Sequence, residues 1–224
     1  MGTLILIRHG RTAANAQGVL AGRSSGVQLD EVGTKASEAL RDRFQDLDVK
    51  HVVASPLERT VQTAKIIFPS HVVVTHEGLI ECDYGDWTGK TLKELATEPL
   101  WQTVRNKPSE VKFPNGETMQ GMADRAVNAV LEVDAKLTQE HGQNFIWAAI
   151  SHGDIIKSLI AHALGLELDK FQRIYVEPSS VSVLRITADD SSVVKVNETG
   201  EGWVKALNKT EGPTVGGQTG QDQN

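Results

Sequence analysis

Apolar runs alternate along this chain with stretches of helical spacing. TLILI, Thr3 to Ile7, is continuously apolar, the pattern of a strand buried on both faces of a parallel sheet. HVVAS (51–55) and HVVVT (71–75) predict two further short strands, and NFIWAAIS (144–151) a fourth, buried one. Between them, LDEVGTKASEALRDRF places Val32, Ala36, Ala39, Leu40 and Phe44 at helical spacing. SPLERTVQTAKII predicts a helix with Ser55 as N-cap, Pro56 at the first helical position and Glu58 closing a capping box. TLKEL (91–95) predicts a short helix. PNGETMQGMADRAVNAVLEVDAKL predicts a long one opened by its Pro-Asn-Gly turn. DIIKSLIAHALG predicts a helix closed by Gly165. SVSVLRI and SVVKVN follow as strands, the second at an edge.

Strands alternating with helices predict an α/β fold: an open, mostly parallel, doubly wound sheet with helices on both faces. Residues 85–116 are weakly patterned and are expected to form a small cap over one end of the sheet. Residues 1–207 are expected to form a single domain. The Gly-, Thr- and Gln-rich tail 208–224 is expected to be disordered.

Composition narrows the function. The formal charge of -6 lacks the basic excess that nucleic acid or an anionic membrane requires. An anionic small molecule answers to local charge and remains open. Cys82 is the one cysteine, so no intrachain disulfide is available and a reducing compartment fits. No apolar segment reaches transmembrane length, and TLILI has no basic flank of the kind a signal peptide carries. A soluble cytoplasmic protein is expected. The sequence does not fix the oligomeric state, and a homodimer is compatible with it on base rates alone.

The chemistry lies where apolar runs stop. One strand ends in IRHG and another in ISHG, so His9 and His152 both stand at carboxyl ends of buried strands. Ligands of open α/β sheets bind outside those ends. Arg8 precedes His9, and Arg59 lies in the first turns of the helix after HVVAS. Guanidinium forks and helix N-termini both favour phosphate. Asn15 adds an amide donor. The set has the composition of a phosphate pocket and requires no metal. Phosphoryl transfer then needs a nucleophile and an acid. A neutral histidine supplies the first, and Glu81, in LIECDYGDW after the third strand, the second. Asp83 and Asp86 compete with Glu81 for that role.

LIRHGRTAAN resembles the signature of the histidine phosphatase superfamily, which includes cofactor-dependent phosphoglycerate mutases and many small phosphatases. The resemblance runs from Thr3 to about Ser182. It rests on the order strand-R-H-G, ASPLERTVQTA, E-x-x-Y-G-x-W-x-G, PNGET and strand-S-H-G. It implies a phosphoglycerate mutase-like fold. It implies that His9 is phosphorylated, that Arg8, Arg59 and His152 complete the phosphate clamp, that Asn15 assists, and that Glu81 donates the proton. Gly22, which opens the loop GRSSGVQL, joins the substrate-binding set. The mutases carry a basic residue directly after the acid; here Cys82-Asp83 stand there, and the 22–29 loop is one residue longer than usual. YGDWTG is more like the small phosphatase branch. The chain also resembles an actinobacterial subgroup labelled probable phosphomutase.

The remaining features read as structure. His51, His71, His76, His141 and His162 lack convergent partners; Trp87 and Trp101 read as core rather than as pocket lining, and Cys82 as an inert packed thiol. Three functions therefore fit, in this order. First comes a metal-independent phosphomonoesterase acting on small phosphorylated metabolites through phosphohistidine, without a cofactor. A phosphoglycerate mutase-type phosphomutase is the alternative. A non-catalytic module that binds a phospho-ligand comes last.

Overall fold

The computed structural model describes residues 2–187 and 191–200; the tail beyond, including 208–224, lies outside them. The chain runs β1 (Thr3–Arg8), α1 (Ala13–Ala16), α2 (Glu31–Phe44), β2 (Val49–Ala54), α3 (Glu58–Ile67) and β3 (Val73–Thr75). It continues through α4 (Leu92–Leu95), α5 (Leu100–Asn106), α6 (Met119–His141), β4 (Ile146–Ser151), α7 (Gly153–Ala163), β5 (Val181–Ile186) and β6 (Ser191–Glu198), with 3-10 turns between some of these. The sheet order is β3-β2-β4-β1-β5-β6. The β3-β2-β4-β1 part is parallel, and β5 and β6 are antiparallel additions. β6 forms one edge.

The unbroken apolar runs of β1 and β4 have a simple cause, since successive strand residues face opposite sides and both sides are covered. At the other edge, Val74 of β3 and Val72 just before it are exposed. Leu4 and Leu6 enter one core with Trp147, Ala149, and the apolar faces of α6 and α7. Ile5 and Ile7 enter a second with Ala148, Ile150, Leu40 of α2, and Ala64 and Ile67 of α3.

Residues 85–116 form two short helices and 3-10 turns. Trp87, Leu95, Val104, Val111 and Phe113 are buried there, in the same core as Met119 and Met122 of α6. Trp87 stacks against Phe113 and Trp101 and is 2% exposed, so it is core. Gly85 (φ +51) lies against the Pro-Asn-Gly turn, where a Cβ would stand 2.0 Å from the Pro114 carbonyl oxygen. This close approach requires glycine. No described helix is long and apolar enough to cross a membrane.

Two local expectations fail. The buried positions of α2 are Gly33, Ser37 and Leu40, whereas Val32 is 51% exposed and Ala39 faces solvent. α3 starts at Glu58 with Leu57 at its N-cap and no side-chain cap. Ser55 and Glu58 have other partners: the Ser55 hydroxyl meets His152, and the Glu58 carboxylate takes the Gly26 amide. The long helix α6 is capped by Thr118, whose side chain accepts from the Gly121 amide; the Pro-Asn-Gly turn stands just before it.

Candidate active site

β1 and β4 are parallel neighbours in a register that pairs Arg8 with Ser151. The next residues, His9 and His152, therefore emerge together. Their ring centroids are 5.2 Å apart, and the His9 amide donates to the Ser151 carbonyl at 3.0 Å.

The hydrogen bonds set both tautomers. His9 Nδ1 lies 2.8 Å from the Gly10 carbonyl oxygen. A carbonyl only accepts, so Nδ1 carries the proton and Nε2 the lone pair. His152 Nδ1 lies 3.3 Å from Arg59 Nη2. A guanidinium only donates, so Nδ1 accepts there. His152 Nε2 then carries the proton and donates to Ser55 Oγ at 2.8 Å. Burial, then Arg59, then Arg8 in His9 and the other ring in His152, hold both imidazoles well below their ordinary 6.5. Both are neutral at pH 7.

Two buried cations flank them. Arg8 Nη1 donates to the Val176 carbonyl at 2.8 Å. Arg59 Nη2 donates to the Gly22 carbonyl at 2.7 Å, while its Nη1 is buried with no partner among the described residues. Such a donor costs free energy unless an anion takes it. Burial pulls Arg8 down to about 10 and lowers Arg59 as well, and both stay charged at pH 7. Asn15 is buried in α1, with its carboxamide oxygen fixed by the Thr12 amide and hydroxyl at 3.0 and 2.9 Å.

Of the three acidic candidates, Glu81 is the one that approaches this group, with Oε2 3.9 Å from His152 Nδ1. Asp86 is exposed and bonded to Asn115. Asp83 is half-buried, 3.9 Å from Arg23. Burial first, then Asp154, lift the Glu81 carboxyl from 4.5 to about 7, against Arg59, the Cys82 amide and Arg8. The Cys82 thiol is buried and pushed well up, mainly by burial. It stays protonated and inert.

Sequence reasoning brought Arg8, His9, Arg59, Glu81 and His152 to one crevice, and the structure places them there. Gly22 reaches the crevice through the carbonyl that holds Arg59. Several supports were missed. Thr63 Oγ1 accepts from the Gly10 amide at 3.0 Å. Asp154, fully buried, accepts from Tyr84 Oη at 2.8 Å and stands 3.4 Å from Lys157 Nζ. That pair had a visible signal: Asp154 and Lys157 are opposite charges three apart in a mostly apolar helix. Arg23, Glu117 and Arg125 also converge on the Glu81 backbone, at separations that no local pattern reveals.

The sequence pattern of the histidine phosphatase superfamily (branch 1) matches residues 4–199. The chain belongs to that family. Among histidine phosphatase relatives, phosphoserine phosphatase 1 of Hydrogenobacter thermophilus is 27% identical over 91% of this chain and 97% of its own. A protein of Erwinia tasmaniensis named "Probable phosphoglycerate mutase GpmB" is 33% identical over 79% of this chain and 81% of its own. The solved phosphoserine phosphatase of Entamoeba histolytica, crystallised with 3-phosphoglyceric acid, has the same fold. Its TM-score is 0.76 at 22% identity, covering 88% of this chain and 98% of that one.

Proposed function

We propose that the chain is a metal-independent phosphomonoesterase that acts on small phosphorylated metabolites through a phosphohistidine. The observation that carries this reading is the His9 tautomer. A neutral ring presents its Nε2 lone pair beside a second neutral imidazole and two buried guanidiniums.

In this reading the phosphate is held by Arg8, Arg59, His152 and the Asn15 amide, with Gly22 placing Arg59. His9 Nε2 attacks phosphorus, forming a P–N bond as the P–O bond to the leaving group breaks. The clamp stabilises charge on the remaining oxygens. To hydrogen-bond an oxygen through Nδ1, His152 takes up a proton or exchanges tautomer against the Ser55 hydroxyl. Glu81 gives its proton to the departing oxygen, and the alcohol leaves. The Glu81 carboxylate then takes a proton from water, whose oxygen attacks phosphorus. The P–N bond breaks, and phosphate and the starting acid are regenerated.

The names of relatives, phosphoserine phosphatase and phosphoglycerate mutase, support small phosphorylated metabolites as the substrate class. Segment 85–116 begins four residues after Glu81 and is proposed as the cap that reads the leaving group. The 33% identical relative supports mutase activity as a second reading. Against it, Cys82 and Asp83 offer no cation after Glu81. A coupled assay converting 3- to 2-phosphoglycerate separates the two.

The principal test is an alkaline quench during turnover of p-nitrophenyl phosphate, followed by peptide mass spectrometry. Phosphate is expected on His9. His9→Ala is expected to lower turnover by on the order of 10^4-fold or more while the protein stays folded. Phosphate on His152, or turnover abolished by excess chelator, would overturn the proposal.

A further inference from the structure

We propose that Arg23 is a positioning residue for Glu81 and ties the acid to the phosphate clamp; the inference rests on the reading of Glu81 as general acid. Glu81 Oε1 accepts from the Cys82 amide at 2.9 Å, so the carboxyl is referenced to its own main chain. That main chain is held from two sides. The Glu81 carbonyl accepts from Arg23 Nε at 2.9 Å and from Arg125 Nη2 at 3.1 Å. Both guanidiniums are pinned by one carboxylate: Glu117 Oε1 takes Arg23 Nη2 at 3.0 Å and Arg125 Nη2 at 2.7 Å, and Oε2 takes Arg125 Nε at 3.1 Å. Glu117 Oε1 also accepts from the Asp83 amide at 2.8 Å. The 81–83 backbone is thus clamped by a crossed ion-pair network.

The two arginines differ in what stands behind them. Arg125 belongs to α6 and also binds the carbonyls of Gly78 and Ile80, so it braces the whole turn. Arg23 belongs to the loop that opens at Gly22, and the Gly22 carbonyl holds Arg59 at 2.7 Å. Farther along, that loop is fastened to α3 by the Gly26 amide on Glu58 at 2.9 Å and the Leu29 amide on Gln62 at 3.0 Å. Adjacent residues therefore serve both halves of the reaction: the Gly22 carbonyl seats the phosphate-binding arginine, and the Arg23 side chain seats the acid. Any movement of Arg59 toward a bound anion pulls on the group that positions the proton donor.

A planar fork is needed for this. Nε and Nη2 of one guanidinium donate in fixed directions to the Glu81 carbonyl and to Glu117, and an ammonium cannot reproduce that pair. Arg23 therefore acts on proton donation and leaves the phosphate contacts of Arg8, His9 and His152 in place.

The test compares kcat/KM of the wild type, Arg23→Ala, Arg23→Lys, Glu81→Gln and the Arg23→Ala/Glu81→Gln double variant. The substrates are the phosphate monoester of an uncharged alkyl alcohol and p-nitrophenyl phosphate, with melting temperatures alongside. Both Arg23 variants are expected to lose roughly 10- to 100-fold on the alkyl phosphate, the scale of a small misplacement of a reacting group. Little loss is expected on p-nitrophenyl phosphate, and none beyond Glu81→Gln in the double variant. Equal loss on both substrates, additive loss in the double variant, or full rescue by lysine overturns the proposal. If Glu81→Gln itself lost the same factor on both substrates, the reading of Glu81 as acid would fall first, and the role of Arg23 with it.

Discussion

Glu81 sets the expected pH dependence at the scale of single residues. Its carboxyl is lifted to about 7 by burial and then by Asp154, against Arg59, the Cys82 amide and Arg8. In the proposed mechanism, phosphoryl transfer to His9 uses the protonated form. For alkyl phosphates, kcat/KM should therefore fall as pH rises through about 7. The fall should be shallow for p-nitrophenyl phosphate, whose phenolate leaves with little help. Asp154→Asn removes a charge that raises the Glu81 pKa, so the alkaline limb should move to lower pH. A limb that stays in place in Asp154→Asn would show that another group titrates there.

Ser55 shows how elements share residues at a site. In isolation, Ser55-Pro56-Leu57-Glu58 has the form of a helix start. β2 pairs with β4, however, so the end of β2 lies beside His152, and the hydroxyl serves the imidazole instead of the helix. The helix begins without a side-chain cap, a loss of about 1 kcal/mol against a capped start. Ser55→Ala leaves the His152 Nε2 proton buried without its acceptor, a cost of about 1–3 kcal/mol. It also frees the ring to leave its place in the clamp. Lower stability in urea melts and lower kcat should appear together; an unchanged kcat would show that the ring is held by packing alone.

For the whole molecule, the site opposes the fold's stability in two pH ranges. Glu81 has a folded pKa above its ordinary value, so the folded state binds the extra proton between about 4.5 and 7. That contribution is present at low pH and lost as pH rises through about 7. His9 and His152 behave oppositely. Their folded pKa values lie below 6.5, so the unfolded chain takes the protons first and stability falls as pH drops below about 6.5. Glu81→Gln should therefore raise the melting temperature more at pH 8 than at pH 5, with a stabilisation on the order of 3 kcal/mol at the alkaline side. The gain would come with lost activity, the usual exchange where a site needs a strained group. An equal shift at both pH values would show that the carboxyl is not held above its ordinary range.

The sequence by itself determined most of the elements and supplied the candidate residues Arg8, His9, Arg59, Glu81 and His152. A strand covered on both faces must be apolar at every position, as in Leu4–Ile7, so a sudden Arg8-His9-Gly10 marks the strand end and the crevice. A helix writes its buried face at intervals of three and four, as in α6; in α2 that face includes Gly33 and Ser37, which apolar spacing does not mark. These are short-range constraints, legible in a few consecutive residues. The tertiary structure decided which groups meet and in which protonation state. Of Glu81, Asp83 and Asp86, only Glu81 has its side chain buried beside His152. Ser55 and His152 are 97 positions apart, and Tyr84 and Asp154 are 70 apart. Hydrogen bonds at such distances exist only after β2, β4 and β1 have become neighbours. The tautomers of His9 and His152 and the elevated pKa of Glu81 depend on those contacts and on the exclusion of water around them.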